Sequence, residues 1–347
     1  MAALIGSCGV LSSIRMSKPQ DHIKRQNAFN SKRFCSFAAA TPASVSVEVT
    51  ELNSTVEKIG KGSEYSDTLY KLACPICYKP FISRGDPRLT FSSTIGSGAE
   101  CCTCKKFYPH SGTYFDLTIA SGLGEYNESM PATAEMFRNP LVSFLYERGW
   151  RQSFILDGFP GTEREFEMAQ EYLKPTTGGT IVDASCGSGL FSRLFARSGI
   201  YSHVVALDYS ENMLRQCYEY IKQEGIPKEN LSLVRADISR LPFVSNSIDS
   251  LHAGAALHCW PSPSTAVAEI SRILRPGGIF VATTFIYDFL VIPVLSTLRE
   301  FYSRTSGHHL YTSERQLEDL CKACGLVGFK CVRNGFFVMI SATKPDY

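Results

Sequence analysis

Two groups of residues in this 347-residue sequence are spaced for chemistry. The first is a pair of Cys-x-x-Cys knuckles, Cys74/Cys77 and Cys101/Cys104, with 23 residues between them. Each knuckle can present two thiolates, and two such pairs suit one tetrahedral structural zinc. The second is the run IVDASCGSGLFS, residues 181–192, where an apolar stretch ends at Asp183 and a turn containing Gly187 and Gly189 follows. Glycine lets a backbone approach a ligand without a Cβ clash, and open α/β sheets bind ligands at the carboxyl ends of their strands. Asp208 ends the next apolar run, 25 residues beyond Asp183, where an acid can accept both hydroxyl hydrogen bonds of a ribose. Asp237 ends a third run.

The elements that must position these groups are legible as patterns. TIVDA (180–184), HVVAL (203–207), LSLVR (231–235), IDSLHA (248–253) and IFVATT (279–284) read as buried strands alternating with amphipathic helices. That alternation predicts a parallel sheet covered on both faces. Ser210 is placed to cap a helix whose buried stripe is Met213, Leu214, Cys217, Tyr218 and Ile221, stopped by Gly225 and Pro227. LVGFKCV (326–332) and FFVMISAT (336–343), three residues apart, suit a hairpin, so one strand is antiparallel. Pro131 to Leu173 should be mostly helical, with Phe137, Leu141, Phe144, Leu145 and Trp150 on an apolar face. Cys321 and Cys324 also form a Cys-x-x-Cys, but Ser313 and Gln316 make a capping box. Leu317, Leu320, Cys321 and Cys324 then follow at helical spacing, as core residues rather than ligands. Cys186, Cys217 and Cys259 have no partner at metal spacing.

Charge is unevenly distributed. Residues 1–47 carry six Lys/Arg and one acid, Asp21, whereas residues 48–347 hold 29 basic and 32 acidic side chains. A slightly acidic body argues against broad phosphate-backbone binding. The Ser-, Arg- and Ala-rich beginning, ending in RFCSFAAATPAS, has the composition of an organelle transit peptide. No run of 18 apolar residues exists, and the longest candidate, Phe285 to Leu295, is broken by Asp288 and Pro293. That stretch is expected to form an apolar lid or to pack on the sheet.

The ordered motifs VDASCGSG, VVALDYSENML, RADISRLPF, SIDSLHAGAALHCW and EISRILRPGGIFVATTF resemble the class I methyltransferases, in particular the branch containing quinone-biosynthesis C-methyltransferases. The resemblance implies an α/β, Rossmann-like seven-stranded sheet and S-adenosylmethionine as cofactor. It places the cofactor on the Gly187/Gly189 turn, with Asp208 on its ribose, Asp237 near its adenine and Ala255 or Leu257 on its methionine side. Asp183, Ser185, Tyr209, Met213 and Ile238 complete the implied cofactor set. Ser185 stands where the family pattern has Gly. A dinucleotide-binding Rossmann domain would instead show G-x-G-x-x-G, which is absent. His258, in the loop after the fourth strand, is the candidate catalytic base if the acceptor must lose a proton.

The cysteine region resembles the zinc ribbons, including the N-terminal zinc domain of bacterial 23S rRNA guanine methyltransferases, whose usual final His ligand is missing here. Cys102 is then a spare thiol. Taken in order, transit peptide, ribbon, a helical lead-in containing YERGWRQSF and methyltransferase domain closely resemble a group of plant chloroplast methyltransferases. The implied division is transit peptide 1–45, linker 46–66, zinc ribbon 67–120, helical lead-in or lid 121–178 and cofactor-binding domain 179–347. The expected function is S-adenosylmethionine-dependent methylation of a small lipophilic, prenylquinone-like metabolite in the chloroplast, in the stroma or at plastoglobules. A plastid rRNA guanine methyltransferase and a non-catalytic cofactor- or partner-binding module are the alternatives.

Overall fold

The computed structural model describes residues 71–84, 98–123, 132–227, 229–291 and 293–346. All of them belong to one compact unit, Lys61–Tyr347. The expected transit peptide, 1–45, and the expected linker, 46–66, lie outside the described residues.

Three short strands, β1 (Phe81–Arg84), β2 (Gly98–Cys101) and β3 (Phe107–Pro109), form an antiparallel sheet beside the cysteine knuckles. Then β4 (Phe115–Asp116) leaves that sheet and pairs in parallel with β7 (Leu231–Arg235) of the main one. The helical lead-in comprises α1 (Ala132–Phe137), α2 (Pro140–Leu145), a π-helical turn over Tyr146–Trp150 and α3 (Thr162–Leu173). Helices α4 (Leu190–Ser198), α5 (Glu211–Gln223) and α6 (Pro263–Ile273) follow β5 (Thr180–Ala184), β6 (His203–Asp208) and β8 (Ile248–Ala253), the last leading into β9 (Leu274–Phe285), whereas β7 runs to β8 through a loop without the helix that strict alternation would place there. The chain then forms α7 (Pro293–Ser306), α8 (Glu314–Ala323) and the hairpin β10 (Val327–Asn334) and β11 (Phe337–Thr343).

The main sheet runs β10-β11-β9-β8-β5-β6-β7-β4, with β11 antiparallel to both its neighbours and the other pairings parallel. Seven of these strands are the expected ones. The eighth, β4, is a two-residue addition from the cysteine region that caps the β7 edge. Such a cap removes an open ladder that would otherwise invite pairing with another chain. Alternation along the central strands sends Val182, Val205 and Leu207 to one apolar cluster and Ile181, Val204 and Ala206 to the other. The first cluster continues without a break into Leu72, Ala99, Tyr108 and Phe115, so the small sheet shares its core with one face of the large sheet.

The lead-in is helical as expected, but its apolar face is not buried. Leu141, Phe144 and Leu145 are exposed, as are Ile155 and Leu156 just beyond. Phe137 and Trp150 do pack together, with ring centroids 5.8 Å apart. The expected capping of α5 holds: Ser210 Oγ accepts from Met213 N at 3.3 Å, and Met213, Leu214, Cys217 and Ile221 are buried. At α8 the Ser313 side chain caps Gln316 N, while Gln316 Oε1 reaches one residue further back, to Thr312 N at 2.9 Å. Cys321 is buried on that helix, as expected of a core residue. No helix among the described residues is long and apolar enough to cross a membrane.

Candidate functional site

The carboxyl ends of β5, β6, β7 and β8 surround one cavity. Strand β5 turns sharply at Ser185, whose φ of +55° belongs to the left-handed region that favours glycine. A hydrogen bond holds the serine there: Trp260 Nε1 donates to Ser185 Oγ at 3.0 Å. Gly187 follows at φ +57°, and a Cβ on it would point at the Tyr146 ring, 3.5 Å away. The Gly187 amide donates to Asp208 Oδ2 and the Ser210 amide to Asp208 Oδ1, both at 2.8 Å. Each carboxylate oxygen accepts one backbone bond and keeps a lone pair for a further donor. Burial, against the pull of the Ser210 and Gly187 amides, raises the Asp208 carboxyl to about 6. On β7's side, Asp237 Oδ1 accepts from the Ser239 amide at 2.8 Å and its hydroxyl at 2.7 Å, which fixes the loop that carries it.

Eight of the ten expected cofactor residues line this cavity: Ser185, Gly187, Asp208, Tyr209, Met213, Asp237, Ile238 and Ala255. Asp183 and Gly189 do not. The Asp183 carboxylate is turned into the core, where Ser192 Oγ donates to Oδ2 at 2.5 Å and His252 Nδ1 lies 2.8 Å from Oδ1. It therefore braces β5 against β8 and α4 from beneath. Gly189 begins α4 where any Cβ would strike Cys217 Sγ, so its role is close packing against α5.

His258 is also absent from the lining. Its Nδ1 lies 3.2 Å from Thr284 Oγ1, its carbonyl accepts from His309 N, and its ring meets Phe285 edge to face at 4.9 Å. Burial, with a contribution from His308, lowers its pKa to about 3, which keeps the imidazole neutral. The next residues, Cys259, Trp260 and Pro261, reach the cavity instead.

The wall facing the Gly turn comes from the lead-in, through Phe137 and Tyr146. Two buried ionic networks fix it. Glu147 accepts from Ser188 Oγ at 2.5 Å and from Arg193 at 3.0 and 3.1 Å, tying the YERGW turn directly to the Gly loop. Arg151 pairs with the fully buried Glu165, whose other oxygen accepts from Thr283 Oγ1 at 2.8 Å. Thr283 Oγ1 in turn accepts from the amide of Ala255, a residue at φ +52°. Motif order alone gives Tyr146 no place in the site; its charged flank, Glu147 and Arg151, is the signal that the sequence offers.

Only Asp208 and Asp237 among the lining residues carry charge, and both stand at the β6 and β7 end. The opposite end is aromatic or apolar. Burial pushes the Tyr146 hydroxyl and the Cys259 thiol each up to about 12, so both keep their protons at neutral pH.

The second cluster is the sulfur set. Sγ atoms of Cys74, Cys77, Cys101 and Cys104 all lie within 4.8 Å of one another, with Cys77 to Cys101 at 3.3 Å and Cys74 to Cys104 at 3.6 Å. Four thiolates about 2.3 Å from one zinc make tetrahedral edges of about 3.8 Å, so the set fits that ion. The two knuckles repeat one geometry. Tyr78 and Lys105, each just after the second cysteine, take φ of +56° and +59°, and each amide bonds back to the carbonyl of the first cysteine. Cys102 falls outside the cluster, its Sγ beside Thr103 Oγ1.

Comparison with known proteins agrees with this geometry. A family described as a methyltransferase domain matches residues 182–282. An uncharacterized chloroplastic methyltransferase of Arabidopsis thaliana is 64% identical over 280 residues, 79% of each chain. A demethylmenaquinone methyltransferase of Desulfitobacterium hafniense is 24% identical over 229 residues, 60% of this chain and 84% of that one. Among solved structures, a phosphoethanolamine N-methyltransferase of Haemonchus contortus in complex with S-adenosyl-L-methionine shares the fold. Its TM-score is 0.50 at 16% identity, and the match covers 63% of this chain and 61% of that one.

Proposed function

The chain belongs to the S-adenosylmethionine-dependent methyltransferases, and from that premise we propose that it methylates a small lipophilic acceptor of prenylquinone type in the chloroplast. The carrying observation is the polarity of the cavity, charged at the β6 and β7 end and aromatic or apolar at the other. An uncharged, ring-bearing acceptor suits such a wall, since a charged one would leave its water without a partner. The distant demethylmenaquinone methyltransferase and the exposed apolar side chains of the lead-in point the same way. Those side chains also suit contact with plastid lipid bodies. The Arabidopsis relative supports the chloroplast.

The bound cofactor supplies an electrophilic methyl group on a sulfonium. Asp208 is assigned to the ribose hydroxyls, which its two remaining lone pairs can accept, and Asp237 to the adenine edge. Tyr146 and Trp260 close the site against water, and in-line displacement needs alignment and a dry site more than an activated side chain. No lining side chain other than the two cofactor-end carboxylates can take a proton at neutral pH. The acceptor therefore reaches the site already nucleophilic, any acidic proton having gone to solvent before the site closes. The four knuckle cysteines are assigned one structural zinc, and residues 67–120, 121–178 and 179–347 the roles of ribbon, lid and cofactor domain.

A labelled-methyl assay offering plastid lipid extract and plastid rRNA side by side tests this reading. Label in the lipid fraction alone supports it. Label in rRNA, or in neither, overturns it.

A further inference from the structure

The first cysteine knuckle is bonded to the loop that carries Asp237. Arg240 Nε donates to Pro75 O, and its Nη2 donates to Ile76 O at 2.6 Å, so one guanidinium grips both residues between Cys74 and Cys77. The same arginine's amide closes the Asp237 turn on the Asp237 carbonyl at 3.0 Å. Beside it, Ala73 N donates to Pro242 O and Val244 N to Lys71 O, both at 2.8 Å. The far end of the ribbon is tied in as well. Asp116 of β4 pairs with Arg235 Nη1 at 2.9 Å, while Arg235 Nη2 reaches Glu211 at 3.1 Å and its Nε donates to Tyr209 O at 3.1 Å. Thus the loop 237–240, assigned to the cofactor's adenine, is bonded directly to the ribbon, and the loop 208–211, assigned to its ribose, is linked to the ribbon through Arg235 of β7.

Resting on the function proposed above, we infer that the ribbon positions the adenosine end of the cofactor site, with Arg240 the positioning residue, so that zinc and S-adenosylmethionine bind with positive coupling. Without the metal the knuckle carbonyls lose their fixed places, and Arg240 loses the anchor that holds the Asp237 turn. Arg240 neither lines the cavity nor belongs to the sulfur set, so its effect acts through the knuckle and the Asp237 turn. Coupling is reciprocal: whatever zinc adds to cofactor affinity, the cofactor adds to zinc affinity.

The test uses the mature chain, with zinc affinity measured by competition against a chromophoric chelator, with and without saturating S-adenosylmethionine. Zinc affinity should rise about tenfold with cofactor present, within the usual range of such couplings. Arg240→Gln should still bind one zinc, bind the cofactor about tenfold less tightly, and show a coupling of about twofold or less. Arg240→Lys, which keeps the charge and the reach but replaces the guanidinium fork with a single nitrogen, should fall between and stands in if the glutamine variant does not fold. Equal zinc affinity with and without cofactor in a wild type that binds both overturns the inference and leaves the proposed function intact. Undiminished coupling in a folded Arg240 variant overturns it too, because the coupling would then come from global folding. A wild type that binds no cofactor, or no zinc, removes the underlying reading and the inference together.

Discussion

The ribbon and the doubly covered sheet reach order by different means. In the sheet, alternate residues of each central strand feed two apolar clusters, and helices with buried stripes cover both faces. The ribbon has strands of two to four residues, and its described apolar side chains pack on a cluster that it shares with the sheet. Its other organising element is the sulfur set at the knuckles. A fold sustained by burial tolerates the loss of one contact. One sustained by four ligands to one ion does not, since a structural zinc contributes folding free energy outright.

The comparison can be broken most forcefully at the metal. Cys74→Ser with Cys101→Ser should abolish zinc binding and lower the melting temperature by about 10 °C or more, as expected when metal binding is coupled to folding. Full thermal stability of a metal-free, reduced protein would show that the shared core alone holds the ribbon. A smaller loss is expected where the lead-in packs on the sheet, at Glu165→Gln, which leaves Arg151 buried without its counter-charge. Breaking such a pair costs about 3–5 kcal/mol, and denaturant unfolding of variant and wild type measures it. A difference below about 1 kcal/mol would mean that water reaches the pair.

Asp208 supplies a pH signature at the cofactor end of the site. Its carboxyl titrates near 6, so cofactor affinity should be flat above about pH 7 and fall roughly tenfold by pH 5 as the acceptor of the ribose bonds is protonated. The sign for the cofactor-free fold is opposite. A raised carboxyl favours the folded chain below the ordinary value of 3.8, and that contribution is lost as pH rises through 6. Calorimetric titration at pH 5, 6, 7 and 8 checks the affinity, and a flat profile would take Asp208 out of the site. The smallest effect belongs to His258→Gln. Methyl transfer should change by only a few fold, instead of the loss of about 100-fold or more that removal of a general base produces.

Much of the sheet was legible because each central strand is a short, mainly apolar or β-branched run, most of them followed by an amphipathic helix. Thr180–Ala184, Leu231–Arg235 and Ile248–Ala253 have the bounds that the pattern predicts, and His203–Asp208 extends it by one residue. Strand β4 was not legible, because two residues have no periodicity and their pairing depends on the ribbon being folded. The exposure of Leu141, Phe144 and Leu145 has a related reason: helical spacing shows that an apolar face exists, but not what covers it. Within the site, motif order placed the Gly turn, Asp208 and Asp237. It also put Asp183 at the ligand, whereas His252 and Ser192 draw that carboxylate inward, a contact between residues far apart in sequence. His258 and Trp260 are two positions apart, and only the backbone path of the 257–259 turn decides which of them faces the cavity.

The central claim is that S-adenosylmethionine binds at the carboxyl ends of β5, β6 and β7 with Asp208 on its ribose. Calorimetric titration of wild type and Asp208→Ala, with circular dichroism to confirm the fold, tests it most directly. Loss of two charge-assisted hydrogen bonds, each worth about 1.5–3 kcal/mol, predicts an affinity lower by about 100-fold or more with an unchanged spectrum. Wild-type affinity in a correctly folded Asp208→Ala would contradict the account.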